Sequence, residues 1–196
     1  MPNIKQLWIL AGGNGSGKST FYQQYLSKTG IKFVNADLIA REIDPDHPEE
    51  VSYEAATLAA DIRNELLSKG VSFCFETVFS HESKIDFIGL AKSYGYTVIL
   101  VYFHLMHPNL NEARVFQRTQ EGGHSVPADK IRSRIPRTMK NVQTALTIVD
   151  EAWILDNSYT TDRFKQIVMV KSGNYQIKVN PIPDWVKDII PNFMAK

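Results

Sequence analysis

The sequence has only one cysteine and almost no net charge. The first excludes an internal disulfide, and the second argues against a protein that binds polyanions. Cys74 is the only cysteine among 196 residues, so no internal disulfide can form. It lies in the apolar run Val71–Phe75, which predicts a small buried core residue rather than a reactive thiol. Lys and Arg total 22 against 21 Asp and Glu, a net charge of +1. This balance argues against nucleic acid and anionic membranes as partners.

Long hydrophobic runs are also missing. No apolar stretch approaches the roughly 20 residues that span a bilayer. Met1–Gln6 leads into a short apolar run, Leu7–Ala11, that ends in glycines rather than in a signal-peptide cleavage site. No repeat, low-complexity tract or linker divides the chain. We therefore expect a single cytoplasmic domain over residues 1–196 that does not enter a membrane.

Short apolar runs alternate along the chain with longer amphipathic ones, which is typical of an α/β protein. Five runs predict buried strands: Leu7–Leu10, Lys32–Val34, Val71–Phe75, Thr97–Phe103 and Trp153–Leu155. Helices are predicted at Gly17–Lys28, Ser52–Ser68, Glu82–Tyr94, Pro108–Glu121 and Lys130–Asp150, the last interrupted or kinked at Pro136. Two further runs, Gln166–Val170 and Gln176–Val179, indicate a hairpin. The predicted fold is a three-layer α/β domain with a five-stranded parallel core sheet and a C-terminal β-hairpin.

A glycine-rich segment between the first strand and the first helix fits the phosphate-binding pattern G-x-x-x-x-G-K-[ST]. Glycines let backbone N–H groups converge on one anion, and the N-terminus of the following helix faces the same anion. A lysine in this position reaches the β- and γ-phosphates of ATP, and the following serine can bind the accompanying Mg²⁺. The predicted nucleotide-binding residues are Gly12, Gly13, Asn14, Gly15, Ser16, Gly17, Lys18, Ser19 and Thr20, with Ser19 as a Mg²⁺ ligand.

Carboxylates follow two other strands, and the carboxyl ends of parallel strands line the ligand crevice. Asp37, in Asn35-Ala36-Asp37 after the second strand, is a candidate base for an attacking hydroxyl, or else a helix N-cap. Glu76 and Thr77 end the third strand. Glu76 is a candidate for binding Mg²⁺ through water or an acceptor hydroxyl, with an exposed strand-end carboxylate as the alternative.

Arginines cluster on both sides of a glycine pair. Arg114 and Arg118 are four residues apart and share one helix face. Arg132, Arg134 and Arg137 follow the turn Gly122–Pro127. This arrangement suits a lid over about residues 119–137 whose arginines stabilise charge on a transferring phosphoryl group. The alternative is a solvated basic face. His124 is interpreted as a packing or hydrogen-bonding residue of the lid.

Two other enzyme classes receive less support. No hydrophobic run ends in a clear Walker-B aspartate, which argues against a motor ATPase. His81, His104 and His107 lack the H-E-x-x-H spacing of a helical zinc site.

Taken in order, the motifs resemble the zeta toxin family of P-loop kinases over roughly residues 4–157. The residues that carry the likeness are AGGNGSGKST at Ala11–Thr20, then Asn35-Ala36-Asp37, Phe75-Glu76-Thr77, Arg114 with Arg118, the turn Gly122–Pro127, Arg134 with Arg137, and Asn141. The likeness is greatest to the short, stand-alone bacterial members of the family.

The resemblance implies an ATP-dependent kinase with Asp37 as catalytic base and Lys18 on the phosphates. It implies that Arg118 and Arg134 are the lid arginines that contact phosphate, and that Glu76 and Thr77 lie near the acceptor. The best-known relatives phosphorylate a sugar hydroxyl of UDP-N-acetylglucosamine, and an antitoxin is the partner protein that the family suggests. The resemblance does not extend to the large C-terminal extension of the long zeta toxins.

The substrate and biological role are left open by these residues. Within the kinase class the acceptor is a nucleotide sugar, a nucleoside or another small hydroxyl compound. Two alternatives from other classes are an ATP-binding regulatory module that acts through a partner and a nucleic-acid end kinase. Turnover of ATP with and without acceptors distinguishes the regulatory module from a kinase.

Overall fold

The computed structural model describes residues 4–121, 123 and 125–190. Its strands are β1 Gln6–Gly12, β2 Lys32–Val34, β3 Phe73–Thr77, β4 Thr97–His104, β5 Glu151–Asp156, β6 Lys165–Lys171 and β7 Asn174–Ile177. They form one sheet in the order β2-β3-β1-β4-β5-β6-β7. The first five strands in that order are parallel, whereas β6 and β7 are antiparallel. The predicted five-stranded parallel core with a C-terminal hairpin is therefore confirmed.

Six helices connect and cover the strands in the described part of the chain. They are α1 Lys18–Phe21, α2 Ala36–Ile43, α3 Ser52–Ser68, α4 Ser83–Ser93, α5 Pro108–Gln120 and α6 Ala128–Ala145. After α1 the chain continues helically, through a π-helical segment at Tyr22–Leu26 and a 3₁₀ turn at Ser27–Thr29. A further 3₁₀ turn spans Asp184–Asp188.

Alternation of side chains along β1 divides the core into two layers. Leu7, Ile9 and Ala11 pack on the face covered by α3, α4 and α6. Leu10 packs on the opposite face, with Phe21 of α1 and Cys74 of β3. The sheet thus lies between two layers of helices, as predicted. Cys74 is fully buried, as its apolar setting predicts, and burial raises the pKa of its thiol.

Several predicted elements differ in detail from the structure. The second hairpin strand, predicted at Gln176–Val179, lies at Asn174–Ile177. The strand predicted at Val71–Phe75 lies two residues later, so that Glu76 and Thr77 are the last residues of β3. Of the two outcomes predicted at Pro136, an interruption or a kink, the interruption is wrong, because α6 continues through this proline. Pro136 is exposed. Water can therefore bind the carbonyl that loses its helical N–H partner there.

No helix among residues 4–121, 123 and 125–190 is both long enough and apolar enough to cross a membrane.

Candidate active site

The candidate site lies at the carboxyl edge of the parallel strands, where the predicted motifs meet. The segment after β1 carries the P-loop, β2 is followed by Asn35 and Asp37, and β3 ends in Glu76 and Thr77. β3 and β1 are neighbours and β2 lies directly beside β3. The sheet order therefore brings together residues that lie far apart in the sequence.

The P-loop backbone requires glycine at two positions. Gly15 and Gly17 have φ angles of 74° and 99°, in the region that other residues rarely adopt. A Cβ on Gly15 would lie 2.8 Å from the backbone oxygen of Asn111. Substitution at Gly15 would therefore strain the backbone and force α5 away from the loop.

Two asparagines outside the motif fix the P-loop in place. Asn111 of α5 donates from Nδ2 to the Asn14 carbonyl at 2.7 Å. Asn157, directly after β5, donates from Nδ2 to the Ser16 carbonyl at 2.8 Å. Both amides are buried. These bonds satisfy two carbonyls of the loop and tie it to α5 and to the segment after β5.

Lys18 is held within the loop that it follows. Its side chain is only 5% exposed, and Nζ donates to the carbonyls of Gly12 at 2.9 Å and Gly13 at 3.0 Å. Nζ also lies 3.6 Å from Oε1 of Glu76. Burial lowers the pKa of the Lys18 ammonium, while the charges of Glu76 and Asp37 act in the opposite direction. A phosphate group at this position would supply further negative charge and favour the ammonium form.

Glu76 joins the P-loop to the end of β2. Its Oε2 accepts a hydrogen bond from Ser19 Oγ at 2.7 Å and another from Asn35 Nδ2 at 3.0 Å. The Glu76 side chain is 13% exposed, so the alternative of an exposed strand-end carboxylate does not apply. The two predicted Mg²⁺-binding side chains are thus in direct contact and offer the oxygen donors that Mg²⁺ prefers. In the described part of the chain, no group of three or more His, Cys, Asp and Glu side chains forms a metal site.

Asp37 is not the N-cap of α2. Asn35 is the cap, and its Oδ1 accepts from the backbone N–H groups of Asp37 at 2.8 Å and Leu38 at 3.3 Å. The Asp37 carboxylate, in the exposed first turn of α2, is therefore not needed for capping. Its role as a base stays a prediction.

Two cavities meet at the P-loop. The first, of about 370 Å³, is lined by the loop from Asn14 to Thr20, by α5 and by the segment after β5. The second, of about 290 Å³, lies toward α2, α3 and the segment between β3 and α4. Four residues line both cavities: Asn14, Lys18, Asp37 and Glu76. These four residues therefore form the boundary that the two cavities share.

The arginines separate into two sets. Arg114 and Arg118 line the first cavity, and Arg114 Nη2 also donates to the Asn157 carbonyl at 2.9 Å. Arg134 lines the second cavity, with Nη1 3.5 Å from Asn14 Oδ1.

The remaining two arginines of the predicted cluster do not line either cavity. Arg132 donates to Glu112 at 3.0 Å, and Arg137 donates to the Ser133 carbonyl at 3.2 Å. Arg118 and Arg134, the two arginines predicted to contact phosphate, thus each line a cavity. Their catalytic roles and the lid itself stay predictions. Gly122 and His124 of the predicted lid lie outside the described residues.

The segment after β3 is fixed in an unusual conformation. Phe79 is buried and has a φ of 65°, which is rare for a bulky residue. α6 holds this segment through Thr138, which donates to the Val78 carbonyl at 2.8 Å, and Asn141, which donates to the Phe79 carbonyl at 2.9 Å. Thr77, predicted near the acceptor, lines the second cavity and accepts from the Phe79 N–H at 3.0 Å. One wall of the second cavity is therefore preorganised.

Several residues of the site do not belong to any motif recognised in the sequence. Asn157 follows a predicted strand, and this position is a signal that points to the crevice. Four other residues of the site lie within helices or a loop, and their local sequence does not distinguish them from surface residues. They are Arg63, Lys84, Asn111 and Arg163.

Comparison with known proteins assigns the chain to a family. Residues 7–143, from β1 into α6, match the family model AAA_33, an AAA domain. The chain belongs to this family. The match contains the P-loop, Asp37, Glu76, Arg118 and Arg134, and ends before the C-terminal hairpin.

The AAA domain of this chain has relatives in sequence and in structure. An uncharacterized protein of Haemophilus influenzae is 29% identical over 138 residues, which are 66% of this chain and 97% of that protein. Among solved structures, a chain of the AvrRxo1-ORF1:-ORF2 complex with ATP has a TM-score of 0.75 at 19% identity over 97% of this chain. This chain spans only 65% of the length of that one.

A second solved structure is from the PezAT chromosomal toxin–antitoxin system of Streptococcus pneumoniae. Its TM-score is 0.66 at 17% identity, covering 85% of this chain and 72% of its own. At such identities these structures show a shared fold, here that of P-loop nucleoside triphosphatases.

Proposed function

We propose that this AAA domain is an ATP-dependent kinase that transfers the γ-phosphate of ATP to a hydroxyl of a small molecule. The observation that carries the proposal is the pair of cavities that meet at Asn14, Lys18, Asp37 and Glu76. An ATPase that only hydrolyses needs room for water beside the γ-phosphate, whereas a cavity of about 290 Å³ admits a second substrate. The AvrRxo1-ORF1:-ORF2 structure, which shares the fold, was solved with ATP and supports this choice of nucleotide.

The donor half of the site is the first cavity. Backbone N–H groups of the P-loop and the Lys18 ammonium bind the β- and γ-phosphates. Arg118, in the same cavity, neutralises charge on the phosphates during transfer. Ser19 and Glu76 are the residues that would hold Mg²⁺, directly or through water. When bound, Mg²⁺ neutralises charge on the β- and γ-phosphate oxygens.

The acceptor half is the second cavity. Asp37 accepts the proton of the acceptor hydroxyl while its oxygen forms a bond to the γ-phosphorus. The bond from that phosphorus to the β–γ bridging oxygen breaks, and ADP leaves. Arg134 stabilises the charge on the transferring group from the acceptor side. Both substrates are held beside one another, so most of the acceleration comes from positioning and electrostatics.

The resemblance to zeta toxins extends the proposal to an acceptor class and a partner. We propose UDP-N-acetylglucosamine or a related nucleotide sugar as the acceptor. A protein of antitoxin type is the proposed partner, which is supported by the fold shared with the PezAT toxin–antitoxin system.

Mass spectrometry of a metabolite mixture incubated with the protein and Mg·ATP tests the activity directly. We expect one compound to gain a single phosphate, and the product to be absent with the Asp37→Asn variant. UDP-N-acetylglucosamine alone is tested in parallel. If ATP is hydrolysed equally fast with and without the mixture and nothing gains phosphate, the protein is a regulatory ATPase instead.

A further inference from the structure

The second cavity has an excess of positive charge that the transfer reaction does not explain. Four cationic side chains line it, those of Lys18, Arg63, Lys84 and Arg134, against the two carboxylates of Asp37 and Glu76. Lys18 and Glu76 are paired with one another. Arg134 lies beside Asn14 of the P-loop, where it can serve the transferring phosphate. Arg63 and Lys84, from α3 and α4, remain without an assigned role.

Arg63 is held in place by aromatic rings. Its Cζ lies over the Phe75 ring at 5.0 Å from the centroid, and 5.7 Å from that of Phe87. Cation–π contacts of this kind fix a guanidinium without using its N–H donors. Nε is buried and has no hydrogen-bond partner among the described residues. A ligand in the cavity can therefore reach this guanidinium only through its other N–H groups.

Lys84 adds a second cation beside the first. It forms no ion pair with any residue that the structure describes, and its Nζ is 3.4 Å from Ser83 Oγ. Burial lowers the pKa of the Lys84 ammonium, and the neighbouring Arg63 charge lowers it further. Two like charges beside one cavity repel each other, and a bound anion with two or more negative charges would relieve that repulsion.

From these contacts we propose that Arg63 and Lys84 form an anion subsite that binds a phosphate group of the acceptor. This inference rests on the kinase activity proposed above. The acceptor's phosphate group binds Arg63 and Lys84, and its reactive hydroxyl points to Asp37. A planar guanidinium and an ammonium together suit the several oxygens of a phosphate group. Both phosphate and carboxylate groups could bind two cations, and the experiment separates them.

Kinetics with matched acceptors is the first test. Pairs of compounds that differ only in one phosphate are compared, such as a nucleoside with its monophosphate and a hexose with its phosphate ester. We expect kcat/KM to be at least about 100-fold higher for the phosphorylated member, in the range found for loss of a charge-assisted contact. Arg63→Met and Lys84→Met should remove at least about 10-fold of this preference, mainly through KM, with little change in the affinity for ATP.

A matched control is available at the end of α3. Lys69 is exposed and pairs only with Glu65 at the surface, so Lys69→Met removes one positive charge without touching the cavity. This variant should keep the wild-type preference. If a neutral acceptor is phosphorylated as fast as its phosphorylated counterpart, or if Lys69→Met weakens the preference as much as Arg63→Met, the subsite assignment is wrong while the kinase activity stands.

Binding of inorganic phosphate tests the subsite without any catalysis. The P-loop is first saturated with a non-hydrolysable Mg·ATP analogue, and phosphate is then titrated by calorimetry. One phosphate should bind the wild type and Lys69→Met, with at least about 10-fold weaker binding to Arg63→Met and Lys84→Met. If phosphate binds in this way but no acceptor is phosphorylated in the kinetic assays, the kinase proposal is wrong and the subsite assignment stands. Absence of binding, or tighter binding of malonate than of phosphate, would refute a phosphorylated acceptor.

Discussion

At the scale of single residues, Lys18 carries the strongest prediction for nucleotide binding. The Lys18 ammonium balances negative charge on the bound phosphates. Hydrogen bonds to the Gly12 and Gly13 carbonyls fix its position. Lys18→Ala should weaken binding of Mg·ATP at least about 10-fold and abolish turnover, since charge-assisted hydrogen bonds are the strong ones. Titration with a fluorescent ATP analogue measures the first effect. Normal binding and turnover in this variant would overturn the assignment of the P-loop.

Asp37 carries the corresponding prediction for chemistry. Asp37→Asn keeps the shape of the side chain but removes the proton acceptor, so kcat should fall by roughly 10²–10⁴. The fold of α2 should be unaffected, because Asn35 is its cap. The dissociation constant of ATP should stay within a few-fold of wild type, which binding measurements can check.

Glu42 provides the control for this variant, because it is an exposed carboxylate on the same helix. Glu42→Gln should leave kcat unchanged. Phosphorylation by Asp37→Asn within a few-fold of wild type would show that another group accepts the proton.

At the scale of elements, α6 connects the second cavity to the core. Its buried Asn141 donates to the carbonyl of Phe79, whose backbone is in a strained conformation. Asn141→Ala leaves this carbonyl unpaired and should lower the free energy of unfolding by about 1–3 kcal/mol. Urea denaturation measures the change.

An exposed residue of α6 provides the comparison. Thr144 bonds only to the Lys140 carbonyl of its own helix, so Thr144→Ala should change stability by less than about 0.5 kcal/mol. Equal effects of the two substitutions would show that the contact with Phe79 does not stabilise the segment after β3.

The elements also show where sequence reasoning succeeds and where it stops. Hydrophobic runs predict the seven strands, because all of them except β7 contain buried residues and glycine or proline separates many of them. The P-loop and Glu76 are predictable because their chemistry depends on residues that are adjacent in sequence or end a strand. The interruption predicted at Pro136 does not occur, because Pro136 is exposed on α6 and water can bind the carbonyl that loses its N–H partner.

Pairs formed across the fold are invisible to the same reasoning. Arg63 and Lys84 lie 21 positions apart on different helices, and their local sequence is that of ordinary exposed faces. Only the packing of α3 and α4 on the same side of the sheet brings them to one cavity. Asn111, which braces the P-loop, is found in the same way, whereas Asn157 can be found from its position directly after β5.

At the scale of the whole molecule, the C-terminal segment is part of the core. Val186, Ile189 and Ile190 are buried together with side chains of the central strands. The Trp185 ring stacks on His104 of β4, with centroids 3.9 Å apart. These contacts pack the segment after the hairpin against the central sheet.

This docking predicts how stability depends on pH. His104 is 6% exposed, and burial lowers its pKa to about 4, against the opposing charge of Asp156. The unfolded chain has an ordinary histidine pKa near about 6.5. Between these values the unfolded state binds a proton that the folded state does not, so the free energy of unfolding falls as the pH is lowered from about 6.5 to about 4. The total loss from this residue is up to about 3 kcal/mol.

Urea denaturation at half-unit steps across this pH range measures the effect. His104→Gln keeps a polar group beside Tyr102 but cannot be protonated, so the difference between wild type and variant isolates the histidine. We expect the wild type to lose stability toward low pH more steeply, with the difference changing most between about pH 6 and pH 4.5. Parallel curves for the two proteins would mean that His104 takes up its proton in the folded state. The stack with Trp185 would then tolerate a charged imidazole, and acid would not loosen the C-terminal segment through this residue.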